Sequence, residues 1–421
     1  MAGRNGSNGR ARVVITGMGA ITPIGNSVKD FWENALNGRS GIGILTSFDH
    51  TNYPIHIAGE VKDFDPDAYM DRREARRMSR FSQFAIAATK QALDQSELDL
   101  DKTDRNRVGV LIGNGIGGLE ATQEAVRTID TRGGMKIDPF FFPKMLPNMA
   151  SAHIALAFGA KGYNNTVITA CAAGTQAIGD AMDLVRSGRV EVAITGGAEA
   201  ALCELGLCGF ADIRALSPGN GKPEKASRPF DAERDGFVAA EGAGIFILEN
   251  LEHALARNAP ILAEVAGYGA TSDAFHVVAP CEDGDGAMRA MQLALDDAGV
   301  RAEDVDYINA HGTSTKLNDA SETLAIKRVF GEDAYRVPIS ATKSMVGHSF
   351  GAAGAVESVA AVQSIQTGIV HPTINYEHPD PECDLDYVPN EARRVDVDVV
   401  LKNSFGFGGQ NACLVFKRFE G

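Results

Sequence analysis

The sequence predicts a layered α/β protein made of two similar halves. Three observations predict it. Apolar strand-like runs alternate with amphipathic helical stretches. The same order of segments occurs twice, and the runs end in glycine-rich turns. Alternation of this kind implies sheets covered by helices.

The first half opens with VVITGMGAITPIG from Val13, and a similar strand and turn returns in ILAEVAGYGATSD from Ile261. An amphipathic helix follows each. These are FAIAATKQALDQSEL from Phe84 and GAMRAMQLALDDAGV from Gly286, with apolar residues three and four apart. Next come the strands VGVLIGNGIGG from Val108 and VDYINAHGTST from Val305. Then TVITACAAGTQAIGDAM from Thr166 pairs with VPISATKSMVGHSFGAAGAVESV from Val337. The last matched strands are VEVAITGGAEA from Val190 and VVLKNSFGFGG from Val399, each followed by one more, GIFILEN and NACLVFKRF. The layout gives a flexible polar leader over 1–12, a first half over 13–255 and a second over 256–421. They join near Leu251–Pro260, where LEHALARNA reads as a helix stopped by Pro260. Segment 119–165 has no counterpart in the second half. It contains PFFFPKMLPNM, too apolar for a plain surface loop, so a tunnel lining or a subunit contact is expected of it.

Composition narrows the function. Forty basic against 55 acidic residues give a net charge of −15, which argues against general nucleic-acid binding. No apolar run approaches the ~18 residues of a membrane span. The opening MAGRNGSNGRAR lacks the apolar core of a secretory signal. The six cysteines form no CxxC pair and no zinc-like cluster, so no metal site is expected and a reducing cytoplasm is the simplest setting. GNGIGG (113–118) has the wrong spacing for a dinucleotide loop, and tight strand ends explain it better. The run DRREARRMSR, with five arginines and two acids, reads either as a solvated helix face or as a dock for an acidic partner.

The chemistry gathers at strand ends. Cys171 lies where a short apolar strand becomes a helix, with Ala172, Ala173 and Gly174 around it. A helix N-terminus carries partial positive charge and free N–H groups, which lower a thiol pKa. An exposed, activated nucleophile at the end of a buried strand is therefore expected. Cys203, Cys208 and Cys413 read as inert core thiols. The matching strand ends of the second half carry His311, Lys343 and His348. His50, His56, His153, His253, His371 and His378 read as structural. The glycine-held amides of NSFGFGGQN (403–411) are placed to complete an oxyanion hole with the amide of Cys171.

TACAAG, NAHGTST, TKSMVGHSFGAAGAVE and NSFGFGGQNA resemble the motifs of the β-ketoacyl-[acyl-carrier-protein] synthases, and the resemblance runs from about Val13 to Phe419. It implies the thiolase fold, two similar halves in five α-β-α-β-α layers, working as a homodimer. It implies decarboxylative Claisen condensation between a malonyl thioester and an acyl chain on Cys171. His311 and His348 match the family's enolate-stabilising histidines, Lys343 the lysine that tunes the site's charge, and Glu357 that lysine's neighbour. Asp319 is placed in the same supporting shell. Phe407 matches the gating phenylalanine whose amide is the second oxyanion donor. Thr313 and Thr315 match the threonines that bond the pantetheine arm, and Ile116 the residue limiting the acyl pocket. Phe405 and Gly408 belong to the substrate-binding loop. Arg73, Arg76 and Arg77 align with residues that dock acyl carrier protein. The resemblance requires no cofactor and admits a structural monovalent cation. Two departures stand out: Gln410 replaces a threonine, and Ala173 sits where serine or threonine is common. A thiolase would need a second catalytic cysteine in the C-terminal glycine-rich loop. A non-catalytic chain-length factor would lack Cys171. A type I synthase or a polyketide ketosynthase is the nearer alternative.

Overall fold

The computed structural model describes residues 11–420, and its centre is one ten-stranded mixed sheet. The first half supplies β1 (Val13–Ile21), β2 (Val108–Gly113), β3 (Asn164–Val167), β4 (Val192–Glu199) and β5 (Gly242–Asn250). The second supplies β6 (Ala263–Ser272), β7 (Tyr307–Asn309), β8 (Ile339–Ser340), β9 (Val399–Gly406) and β10 (Gln410–Lys417). Their order across the sheet is β8-β7-β9-β10-β6-β1-β5-β4-β2-β3. Each half thus holds five strands in the same relative order, and within the sheet the halves pair at Val14–Glu264 and Ile15–Ala263.

Five helices build the layers around the sheet: α1 (Arg80–Ser96), α2 (Ala173–Arg186), α3 (Asp285–Ala298), α4 (Lys316–Phe330) and α5 (Ala353–Thr367). The outer helix α1 lies against β1 and β5, and α3 takes the same place on β6 and β10. Glycines make both approaches possible. A Cβ on Gly17 or Gly19 would lie 2.0 Å from the carbonyl oxygen of Ala92 or Ala88. Gly267 and Gly269 face Ala294 and Ala290 in the same way, at 2.2 and 2.3 Å. Between the two five-stranded sections run α2 and α5, packed on each other and on strands of both halves. Covered on all sides, α5 buries Val356, Val359, Ala360, Val362 and Ile365 with no polar stripe. Outer helices, sheet, central helices, sheet and outer helices make the five layers.

Three details differ from the sequence reading. The strand before Cys171, β3, is an edge strand with Asn164 and Asn165 exposed, not a buried one. The stretch without a counterpart is shorter than 119–165. The helix Met149–Phe158 packs on α1 as α4 packs on α3, and residues 164 and 165 already belong to β3. Of the leader, 1–10 lie outside the described residues, and Arg12 is held by Glu264 at 2.8 Å.

Candidate active site

Cys171 sits on a one-turn 3-10 segment, Ala170–Ala172, that leads into α2. The turn is sharp because Ala170 adopts a left-handed backbone, φ 48°, rare for a residue with a side chain. The second half repeats it: Phe350 has φ 47° and opens the turn Phe350–Ala352 before α5. The glycine-rich loop closes over the cysteine. A Cβ on Gly406 would meet the Thr169 carbonyl oxygen at 2.8 Å and the Cys171 nitrogen at 3.2 Å, so only glycine lets the loop this close. The Phe407 N–H donates to the Cys171 sulfur. Gly408, at φ 84°, donates its N–H to the Val277 carbonyl at 2.9 Å and anchors the loop.

The thiol is not resting as an activated thiolate. Burial pushes Cys171 up to about 11, outweighing the charge of Lys343 and the Phe407 N–H. The sequence locates the helix start but not the crowding at the sulfur, so the expected lowering is reversed. A side of the residue remains open, since Cys171 is half-buried.

His311, His348 and Lys343 meet in one buried cluster. The Lys343 ammonium donates to His311 Nδ1 (3.1 Å), the His311 carbonyl oxygen (2.6 Å) and Glu357 Oε1 (2.5 Å). An ammonium has no lone pair, so His311 Nδ1 must accept and its proton must sit on Nε2. The Phe350 N–H donates to His348 Nδ1 at 3.3 Å, which places that proton on Nε2 too. The rings are 5.6 Å apart and nearly perpendicular. Burial, then Lys343, hold both imidazoles well below their usual pKa. The cluster therefore presents two neutral N–H donors.

Supporting contacts fix these groups. Both carboxylate oxygens of Glu322 receive the N–H groups of His311 and Gly312, each at 2.8 Å. Asp319 receives those of Thr313 (3.0 Å) and Phe230 (2.8 Å), with Arg234 3.6 Å away. The Thr313 and Thr315 hydroxyls bond each other at 2.9 Å. The Phe405 ring lies 5.7 Å from His311. On the His348 side, Phe237, Phe350 and Phe210 form an aromatic wall, with Phe407 6.3 Å from Phe210 and Ile116 packed on the same cluster.

The sequence reading missed Glu322, which holds the His311 and Gly312 amides, and two further charged residues. Lys402, fully buried within β9, pairs with Glu357 Oε2 at 2.7 Å. Its signal was a lone charge inside VVLKNSF. Glu199, at the end of β4, accepts the N–H groups of Gly115, Ile116, Gly117 and Gly351. Those amides are spent on a protein carboxylate, which agrees with the structural reading of GNGIGG. Cys413 is buried in β10 opposite Asn403, and burial pushes its thiol far up, so the loop offers no second reactive cysteine. Away from this cluster, Arg73, on the short helix Arg72–Ala75, and Arg76, which caps its C-terminus, are exposed, while Arg77 pairs with Glu74 at 2.9 Å and stacks on Phe140. Among the described residues, no helix is long and apolar enough to cross a membrane.

Known proteins resemble this chain along nearly its whole length. The beta-ketoacyl synthase N-terminal domain model matches residues 10–254 and the C-terminal domain model residues 262–377. The chain is 52% identical to a 3-oxoacyl-[acyl-carrier-protein] synthase 2 from Synechocystis, over 98% of this chain and 99% of the relative. It is 50% identical to the protein of that name from Staphylococcus aureus, over 97% and 99%. Among solved structures, a beta-ketoacyl synthase from Burkholderia phymatum superposes with a TM-score of 0.90 at 36% identity, covering 97% and 100% of the two chains. A ketosynthase in complex with its type II polyketide acyl-carrier protein gives a TM-score of 0.90 at 37% identity, covering 98% and 100%. With two matched domains and half of its residues shared along nearly its full length, the chain belongs to the beta-ketoacyl synthase family.

Proposed function

We propose that the protein elongates fatty acyl chains by two carbons through decarboxylative Claisen condensation on acyl carrier protein. The carrying observation is the pair of fixed tautomers: the Lys343–His311 and Phe350–His348 contacts leave two uncharged Nε2–H donors in the cluster beside the cysteine turn. A nascent enolate needs its negative charge held on oxygen, and neutral imidazoles do this without handing a proton to carbon.

The reaction divides into two halves. Cys171 sulfur attacks the carbonyl carbon of the acyl thioester, and the N–H groups of Cys171 and Phe407 hold the oxyanion. The carbon–sulfur bond to the pantetheine arm breaks, and the departing thiolate takes the proton lost by Cys171. Because the thiol is pushed up to about 11, this transfer accompanies attack rather than preceding it. Malonyl carrier protein then binds. Its carbon–carboxylate bond breaks, CO2 leaves, and the electron pair forms an enolate whose oxygen accepts from His311 and His348. The enolate carbon attacks the Cys171 thioester, and the carbon–sulfur bond breaks. The cysteine sulfur recovers a proton from solvent, and the β-ketoacyl chain departs on the carrier.

Thr313 and Thr315 face the pantetheine arm, and Ile116 with the aromatic wall bounds the acyl chain. Arg73 and Arg76 dock the acidic carrier, assisted by Arg77. The working form is a cytoplasmic homodimer, supported by the exposed edge strand β3 and the exposed apolar Ile168, Leu156 and Phe142 nearby. The test is incubation with a ladder of acyl-carrier-protein thioesters, peptide mass spectrometry, then malonyl carrier protein. Acylation at Cys171 followed by CO2 release is expected. Condensation without CO2, or acylation elsewhere, overturns the reading.

A further inference from the structure

A bound monovalent cation, which the resemblance admits, would have to answer a buried negative charge near the reacting groups. The buried carboxylates there already have partners. Glu322 faces the amides of His311 and Gly312, Asp319 those of Thr313 and Phe230, and Glu199 those of its glycine loop. Glu357 faces two ammonium groups, Lys343 on Oε1 and Lys402 on Oε2.

Lys402 is the unusual member. It is fully buried in the middle of an otherwise largely apolar strand, a costly place for a charge without close partners. Its Nζ has three acceptors: Glu357 Oε2 at 2.7 Å, Ser404 Oγ at 2.9 Å and the carbonyl oxygen of Asn403. Three acceptors match the three N–H bonds of an ammonium, whereas a neutral amine has only two. A carboxylate, a hydroxyl and a backbone carbonyl are also the oxygen donors that a hard cation gathers. The Ser404 hydroxyl is itself tied to Thr175 Oγ1 on α2 at 2.7 Å, so this nest is fixed to the helix that follows Cys171. Both carboxylate oxygens of Glu357 already face an ammonium, and a further positive charge would be crowded against Nζ.

We propose that the Lys402 ammonium is a built-in monovalent cation. It neutralises Glu357, holds β9 against α5, and frees this chain from any requirement for sodium or potassium. Two ammoniums on one carboxylate leave one net positive charge beside His311 and His348. The catalytic part of the inference rests on the condensation chemistry proposed above. The stability part does not.

The experiment compares wild type, Lys402→Ser and Lys402→Met after dialysis into choline chloride. Sodium, potassium or ammonium chloride is then added at a constant ionic strength of ~0.2 M, which fixes screening. Melting temperature and condensation rate are both read. Wild type should be indifferent to the ion. Lys402→Ser, which leaves an empty oxygen nest and only Lys343 on Glu357, should melt lower and lose about tenfold or more in rate in choline. Potassium or ammonium should restore most of both. Lys402→Met, whose side chain fills the nest without charge, should not respond. A wild type that melts higher in potassium or sodium than in choline overturns the proposal. So does a Lys402→Ser protein that behaves as wild type in choline, or one that no ion restores. If either variant fails to fold, the wild-type ion series still decides. A wild type without condensation activity sinks the proposed function alone, because the melting comparison stands by itself.

Discussion

Replacing Lys343 with methionine tests how the imidazoles are set. Methionine nearly matches the length of the chain but has no N–H and no charge. Three acceptors lose their donor: His311 Nδ1 at 3.1 Å, the His311 carbonyl at 2.6 Å and Glu357 Oε1 at 2.5 Å. Without that donor, His311 is free to carry its proton on Nδ1, and Nε2 then meets the enolate oxygen as an acceptor. Losing one donor to a developing oxyanion costs about 2.7–4 kcal/mol, or about 10²–10³ in rate. Stability should fall less than the ~3–5 kcal/mol of a stranded buried charge, since Lys402 still meets Glu357 at 2.7 Å. Single-turnover mixing separates the steps, with intact mass following acylation and CO2 release following condensation. Condensation should fall by about 10²–10³. Acylation, which relies on the amides of Cys171 and Phe407, should fall less than about tenfold from the lost charge near the sulfur. Equal losses in both steps, or condensation within about threefold of wild type, would refute the tautomer argument.

The remaining predictions probe other parts of the site. Iodoacetamide should label Cys171 about tenfold faster per pH unit from 7 to 9 without levelling off, because its thiol is pushed up to about 11; a plateau near neutral pH would show a resting thiolate. Gly406→Ala forces a Cβ to 2.8 Å from the Thr169 carbonyl, and the displaced cysteine turn should lower acylation by about 10²; an unimpaired variant would deny the close approach a role. Burial pushes Glu199 up to about 7, so the native state keeps a proton that the unfolded chain releases above its ordinary carboxylate range. This contribution, about 3 kcal/mol, is present below pH ~4.5 and lost as pH rises through ~7. Glu199→Gln cannot ionise, so its melting temperature should rise more with pH across that window than that of the wild type; parallel curves would contradict the raised carboxyl. Arg73→Glu with Arg76→Glu should raise KM for acyl carrier protein about tenfold or more and leave turnover of a small acyl-pantetheine thioester unchanged. Equal effects on both substrates would place the arginines outside the dock.

How much of this was legible in the sequence depended on range. The duplicated strands and outer helices were readable because their signal is local: Gly17 and Gly19 alternate along β1 as Gly267 and Gly269 do along β6, and each pair faces helix alanines. The motifs around Cys171, His311, Lys343 and His348 are likewise short and contiguous. Lys402 was visible only as an odd charge in a strand, because Glu357 is 45 positions away and on another element. Glu199 looked like the end of a glycine-rich strand, and its ring of N–H donors assembles only when β4, the loop after β2 and the Phe350 turn meet. The state of Cys171 was misread for the same reason. A helix start is written locally, but the desolvation that opposes it comes from β9, α5 and the Phe350 turn, all in the other half.

The two halves share an architecture but form one site, and the divergence is traceable to single residues. The left-handed turns at Ala170 and Phe350 are structural equivalents, yet the residue that follows is Cys171 in one and Gly351 in the other. A side chain at 351 has no room, since its Cβ would lie 2.2 Å from the Gly115 nitrogen. That nitrogen and the Gly351 N–H both turn to Glu199, the last residue of β4. The last residue of β9 is Gly406, which removes the corresponding side chain and lets the loop before Phe407 reach the cysteine. A carboxylate therefore seals one copy of the turn and a glycine opens the other. The second half, relieved of carrying a nucleophile, places His348 just before its sealed turn and aims the Phe350 N–H at that ring. The thiol then feels the charge of the same Lys343 that fixes His311 beside His348, because each half kept the part that the other gave up.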